Sequence, residues 1–420
     1  MGFLINLTNV LLPLQRVMMG GLLLGALLFP VSVAGSNLLF AIALVVGLFS
    51  GVLRSGAEMF WRAYRGLALA WVAYVALMLL GLLWSEDVHQ GLRLLGRSWF
   101  WLLMPLLVAA LADGVWRYRF LLALSVGLAL HLLLCLLQLF GVVEIVNTGG
   151  SGADNPTGLI GHIGFGFVYG IWAAWLVWVG FQFLTGWQRA GCWGLAMLSY
   201  GMIFIAQGRA GQLVSLLLLM VVFYRMLRRY GRLLQYALLL LVGVGVAGAG
   251  FSGAGGDRWR VFFYEMEQMN QETSFQSSHL ATSTGQRLYM LKIGREVWAQ
   301  HPWLGVGSGG FFSAIQQYQY DRLGQHAFVF KHPHNQLMLN LVRWGPLGLL
   351  CTLAIYLFWL RAGFQSDWRA SYASPLILMS GLALLVDAFF GPTFEEHFSG
   401  VLAALLLGVG LSDRRTDVHE

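Results

Sequence analysis

Three side chains, far apart in the chain, carry the chemistry that this sequence offers. They are Arg209, Arg287 and His334. His334-Asn335 stands directly before a long apolar run that begins at 336. Asn335 suits a helix N-cap, and the unpaired amides and dipole at a helix start favour anions. A histidine placed there can act as a general base or simply as a capping residue. His332 adds a third reading, a metal site. No Asp, Glu or Cys lies beside the pair, whereas zinc sites use three or four ligands, so no metal is expected.

Arg209 lies in Gln207-Gly208-Arg209-Ala210-Gly211, between two apolar runs. A glycine-flanked arginine at a helix start is either an anion site or an interfacial anchor. Arg287 lies in a predicted helix over 285–300. At 100° per residue it falls in the middle of a face shared with Met290, Leu291, Gly294, Val297 and Trp298. An inward guanidinium either covers apolar surface with its stem, meets a carboxylate, or awaits an anionic ligand. Lys292, Arg295 and Glu296 point away from that face.

The elements that hold these residues are set by composition. The chain has 420 residues, 58% hydrophobic and only 11% charged; a soluble domain carries about 25% charged residues. That excludes a water-soluble globule, a disordered chain and a coiled coil. The expected class is an all-α polytopic membrane protein. About twelve apolar runs are long enough to span, near 17–34, 36–53, 67–84, 98–112, 118–140, 161–181, 191–207, 210–226, 233–251, 336–360, 372–390 and 397–411. With the N-terminus inside, the short inside segments hold 15 basic residues and the short outside loops hold three, Arg93, Arg97 and Arg209. That asymmetry predicts both termini in the cytoplasm and reads the net charge of +7 as topology, with no nucleic-acid partner. Val-Ala-Gly-Ser after the first run resembles a cleavage site, but only Arg16 precedes that run and the run exceeds a usual signal core. A retained helix is expected. Cys135, Cys192 and Cys351 lie in apolar runs and form neither a disulfide framework nor a metal pattern.

The expected division is 1–251 with spans one to nine, 252–335 as a helical outside domain carrying part of the site, and 336–420 with spans ten to twelve and a cytoplasmic tail. Residues 142–160 read as a glycine-rich outside loop. Within 252–335 a first amphipathic helix is expected over 257–272. The run Gly305-Val-Gly-Ser-Gly-Gly310 is a weak phosphate-cradle signal that lacks the Lys-Ser/Thr ending; a tight turn bringing helices together is the plainer reading. Arg343 is expected to pair with Asp387 for structural reasons, and His131 to be a packed helix residue. Whether Glu395, Glu396 and His397 join the site stays open.

Taken together, one histidine and two arginines are expected at the outer membrane interface under a helical cap. Arginine forks suit a pyrophosphate, and a pyrophosphate at that depth implies a lipid tail in the bilayer. A base beside it implies deprotonation of an incoming hydroxyl. That is glycosyl transfer from a lipid-pyrophosphate sugar. The class-level rival is a multi-span transporter, whose ionisable residues usually sit near the bilayer midplane.

Several motifs, in order, resemble the bacterial O-antigen ligase and polymerase superfamily. His334-Asn335 is followed by nine residues and then Gly345-Pro346-Leu347-Gly348. Upstream stand Pro302-Trp-Leu-Gly-Val-Gly-Ser-Gly309 and the short loop Gly208-Arg209. The resemblance implies an O-antigen ligase of the Gram-negative inner membrane, multi-pass, with its site facing the periplasm. It implies a metal-independent, inverting glycosyltransferase with no cofactor. The partners would be undecaprenyl-pyrophosphate-linked polysaccharide, lipid A-core and membrane lipids. His334 would be catalytic; Arg209 and Arg287 would clamp the pyrophosphate, with Gln207, His332 and Asn335 as further substrate contacts. O-antigen polymerases and protein O-oligosaccharyltransferases use the same donor and remain alternatives.

Overall fold

The computed structural model describes residues 2–145, 152–153, 155–206, 208–228, 264, 267, 283–323 and 329–413. Among them all regular structure is helical, apart from an isolated bridge between Gly152 and Asn155. In chain order the helices are α1 (Gly2–Leu28), α2 (Val33–Phe49), α3 (Val52–Ala63), α4 (Arg65–Leu80), α5 (Val88–Arg97), α6 (Leu103–Ala110), α7 (Gly114–Leu139), α8 (His162–Gln182), α9 (Gly186–Ile205), α10 (Arg209–Leu227), α11 (Ser283–Gln300), α12 (Phe311–Leu323), α13 (Gln336–Phe364), α14 (Pro375–Asp387) and α15 (Leu402–Leu411). The predicted span at 233–251 and helix at 257–272 lie outside the described residues, save Tyr264 and Glu267, which are helical.

Helices α8, α14 and α15 form the centre of the bundle. They are apolar around most of their circumference, and α15 is buried from Leu402 to Leu411. The peripheral helices are apolar outward as well. On α7, Leu122, Val126, Leu130 and Leu133 are exposed, and on α13 so are Leu347, Leu350 and Leu357. Outward apolar stripes on helices whose inner faces are already packed have no place in water, and this is a membrane protein. Among the described residues, five helical segments are long and apolar enough to cross a membrane, or six if α2 and α3, bent by 85°, count as one. The expected run at 98–112 is part of a broken segment: α5, a 3-10 turn at Ser98–Leu102 and α6.

Two local devices set the functional end. The first is close packing of α8 on α10. Gly166 and Gly211 face each other so closely that a Cβ on either would collide with the other's backbone, and Gly170 lies against Ser215 one turn on. Small residues at four-residue spacing let membrane helices approach in this way. The second is a kink in α13. Trp344 and Gly345 leave helical geometry, and Gly345 takes φ +62°. Pro346 has no N–H for the carbonyl of Val342. The glycine run supplies the missing donors: Val306 N–H reaches Val342 O at 2.9 Å and Gly307 N–H reaches Arg343 O at 2.9 Å. Ser308 N–H donates to Gly81 O at 3.0 Å and Gly309 N–H to Ser85 Oγ at 2.9 Å. These amides bind protein groups, so the run ties α13 to the end of α4 and does not cradle a phosphate.

A small second core sits over the start of α13. Tyr289, Met290, Ile293 and Val297 of α11 pack with Phe311 and Ile315 of α12 and with Leu339 and Val342. Each such buried side chain contributes roughly 1.5–3 kcal/mol, enough to seat α11 firmly.

Candidate active site

The start of α13 is built from its first residues upward. Asn335 is the N-cap, its Oδ1 accepting from Met338 N–H at 2.8 Å. Gln336 is fully buried and clamps the loop after α14: its N–H donates to Ala388 O at 2.7 Å, and its Oε1 accepts from Phe394 N–H at 3.0 Å. The loop 388–396 is thereby laid against His334. Between Pro333 and the cap, His334 adopts φ +48°, the one non-glycine residue with positive φ among the described residues. Such a conformation costs about 1–3 kcal/mol and persists where the surroundings over-determine it.

The Nδ1 of His334 lies 3.3 Å from Phe390 O. A carbonyl can only accept, so Nδ1 carries the proton and the Nε2 lone pair remains to take one. Burial first, and the charge of Arg287 second, hold the imidazole below its ordinary range, against a raising contribution from the Phe390 carbonyl. His334 is therefore neutral near pH 7, as a base must be. The His332 ring stands 4.4 Å from that of His334, centroid to centroid. Burial, then His334 and Arg343, push it down to about 4. Its buried Nδ1 has no hydrogen-bond partner among the described residues.

Arg287 comes from α11. The buried face of that helix runs through Tyr289, Ile293 and Val297, and Arg287 lies half-buried at its edge, not mid-face. Tyr289 and Ile293, at the centre of the packing, rotate the face relative to the expected one. The edge position lets the guanidinium lie 5.7 Å over the Phe390 ring. Burial first, and then the positive charge of Arg209, depress its proton affinity, while Asp387 raises it. Arg209 begins α10 behind Gly208, which lies against the His162 carbonyl so tightly that no Cβ fits. Arg209, Arg287 and His334 thus lie in a chain of electrostatic contact, Arg209 acting on Arg287 and Arg287 on His334. Gln207 lies outside the described residues.

One expected pair is wrong. Arg343 forms its ion pair with Glu395, not Asp387; both terminal guanidinium nitrogens engage the carboxylate, Nη1 to Oε1, and Nη2 to Oε2 at 3.3 Å. Asp387 lies instead in the electrostatic reach of Arg287. Nor is Arg343 remote from the site, since its charge acts on His332. Glu396 is largely buried; burial, and secondarily Glu395, raise its proton affinity, which Ser399 opposes. His397 stacks on Phe29, centroids 5.5 Å apart. Sequence reasoning did not single out Phe390 or Gln336. Phe390 offers a backbone carbonyl, for which side-chain type gives no signal. Gln336 was detectable as a polar residue opening an apolar span.

No group of three or more His, Cys, Asp or Glu among the described residues is arranged to hold a metal ion. The arrangement offers a neutral imidazole with a proton-accepting nitrogen, in the field of Arg287, whose repulsion from Arg209 a bound anion would relieve.

A comparison with curated proteins returns no match. Residues 194–353 match the family described as O-antigen ligase; that stretch runs from within α9 into α13 and carries Arg209, Arg287 and His334.

Proposed function

We propose that the protein is an O-antigen ligase that transfers O-polysaccharide from undecaprenyl pyrophosphate to a sugar hydroxyl of lipid A-core. The supporting observation is the neutral His334, its Nε2 lone pair available, one electrostatic step from the paired Arg287 and Arg209. The acceptor oxygen attacks the anomeric carbon while its proton passes to His334 Nε2. The bond from that carbon to the pyrophosphate oxygen breaks on the opposite face, so the configuration inverts. Negative charge grows on the leaving diphosphate, and Arg209 and Arg287 stabilise it there. His332, Asn335 and Gln207 contact the substrates. No metal or cofactor is required.

In this reading the chain has twelve spans in the Gram-negative inner membrane, both termini in the cytoplasm, and the site on the periplasmic side beneath the helices of 252–335. The transporter reading is less well served, because the clustered ionisable groups gather at helix starts and loops and not midway along the bundle. The test is transfer by the purified full-length protein, with lipid-pyrophosphate polysaccharide and lipid A-core and no nucleotide. His334→Ala is expected to abolish product formation while the protein stays folded. Wild-type turnover by that variant at saturating donor would overturn the assignment.

A further inference from the structure

The other end of α10 carries a second cationic site. A cavity of about 430 Å³ opens there, lined by Trp178 of α8, Arg225 and Arg228 at the end of α10, and Ser366, Asp367, Trp368 and Arg369 after α13. It lies about 27 Å from Arg209 along the 19-residue helix, at 1.5 Å per residue. It therefore shares no wall with the His334 site.

The walls are built, not incidental. Trp178 Nε1–H donates to Trp368 O at 3.1 Å, and the two indoles meet edge to face with centroids 5.2 Å apart. Arg225 lies 4.9 Å over the Trp368 ring. Ser374 Oγ–H donates to Asp367 O at 2.7 Å, and Asp367 Oδ1 accepts from Arg369 N–H at 2.9 Å, fixing the loop that presents Arg369. Three guanidiniums face the cavity against one carboxylate. An oxygen-rich anion offsets that excess of positive charge.

We propose that this cavity binds one phosphate-bearing anion, held by Arg225, Arg228 and Arg369. Guanidinium forks match phosphate oxygens two at a time, and the volume accommodates a phosphodiester headgroup. A cavity at a helix end, walled by tryptophans as interfacial residues are, is open to two sources of that chemistry: an anionic phospholipid headgroup or free phosphate. The inference does not depend on the ligase reading.

The experiment uses the full-length protein in phosphatidylcholine nanodiscs. Native mass spectrometry measures retention of added phosphatidylglycerol, and a thermal-shift titration in parallel measures inorganic phosphate. Wild type should bind one of the two probes. Phosphatidylglycerol retention without a phosphate shift identifies the lipid source; a saturable phosphate shift identifies the free anion. The Arg225→Gln/Arg369→Gln pair should lose about tenfold or more in affinity, two charge-assisted contacts being removed. Asp367→Asn removes the competing carboxylate yet keeps an acceptor for Arg369 N–H, and should tighten binding a few-fold. A gain cannot arise from misfolding, so this variant decides the matter if the arginine pair fails to fold. Binding of neither probe by wild type, or unchanged or weakened binding in Asp367→Asn, overturns the site.

Discussion

Two histidines on this scaffold, one buried and one half-buried, have opposite fates, and the difference lies in their hydrogen bonds. His131 sits inside the bundle on α7. Leu159 N–H donates to its Nε2 at 3.0 Å, so Nδ1 carries the proton and donates to Tyr169 Oη at 2.8 Å; that hydroxyl in turn donates to Leu128 O at 2.9 Å. Both ring nitrogens are committed, and the histidine fastens the loop before α8. His334 has one nitrogen committed, to a carbonyl, a strained backbone, and the charge of Arg287 acting on it. Both rings are shielded enough to hold their imidazoles away from bulk water, so shielding does not by itself make a histidine structural or reactive. What separates them is whether a lone pair is left over and what charge stands beside it.

The largest expected effect tests that contrast directly. His334→Ala should lower transfer by about 10²–10⁴-fold, the usual worth of a general base, with the thermal midpoint near wild type. An equal loss in His131→Ala would erase the distinction, as would full activity in His334→Ala. Next come the clamps. Arg209→Lys and Arg287→Lys keep a charge but lose the planar fork, and each should reduce kcat/KM for the donor by about tenfold or more. Acceptor KM should stay unchanged. If both kinetic constants for the acceptor moved instead, the arginines would belong to the other substrate.

The pH profile sharpens the comparison further. A base works in its neutral form, so activity falls as pH drops through the folded pKa of His334. That pKa lies below the ordinary 6.5, by burial first and by Arg287 second. Activity should therefore persist on the acidic side of 6.5. Arg287→Gln removes one of the two depressing influences, which raises the pKa and moves the acidic limb to higher pH. A limb that stays in place in Arg287→Gln would show that the two residues do not sense each other.

Much of the helical scaffold was readable from the sequence, because long apolar runs have few alternatives in lipid. The breaks were harder. The bend between α2 and α3 turns on Gly51 at φ +77°, and one glycine among the chain's 53 carries little information. Pro346 did announce an unpaired carbonyl at Val342, but not that Val306, forty positions upstream, would serve it. The same limit explains Arg343: its choice of Glu395 over Asp387 depends on how the last loop folds back, and charge type alone cannot rank the two. Arg209, Arg287 and His334 stood out because each broke an apolar or helical pattern where a charge is costly. Phe390 broke no pattern.

The smallest expected effect concerns His131. Replacing it with alanine removes the acceptor of Leu159 N–H and the partner of Tyr169 Oη in a buried place. Leaving buried polar groups unsatisfied costs about 1–3 kcal/mol, so the thermal midpoint should fall. Turnover per folded molecule should hold, because no described residue of the loop that His131 fastens acts on Arg287 or His334. A normal midpoint with lost turnover would place His131 in the chemistry and move the base away from α13. A lowered midpoint with intact turnover would confine His131 to the scaffold and leave His334 with the reactive role.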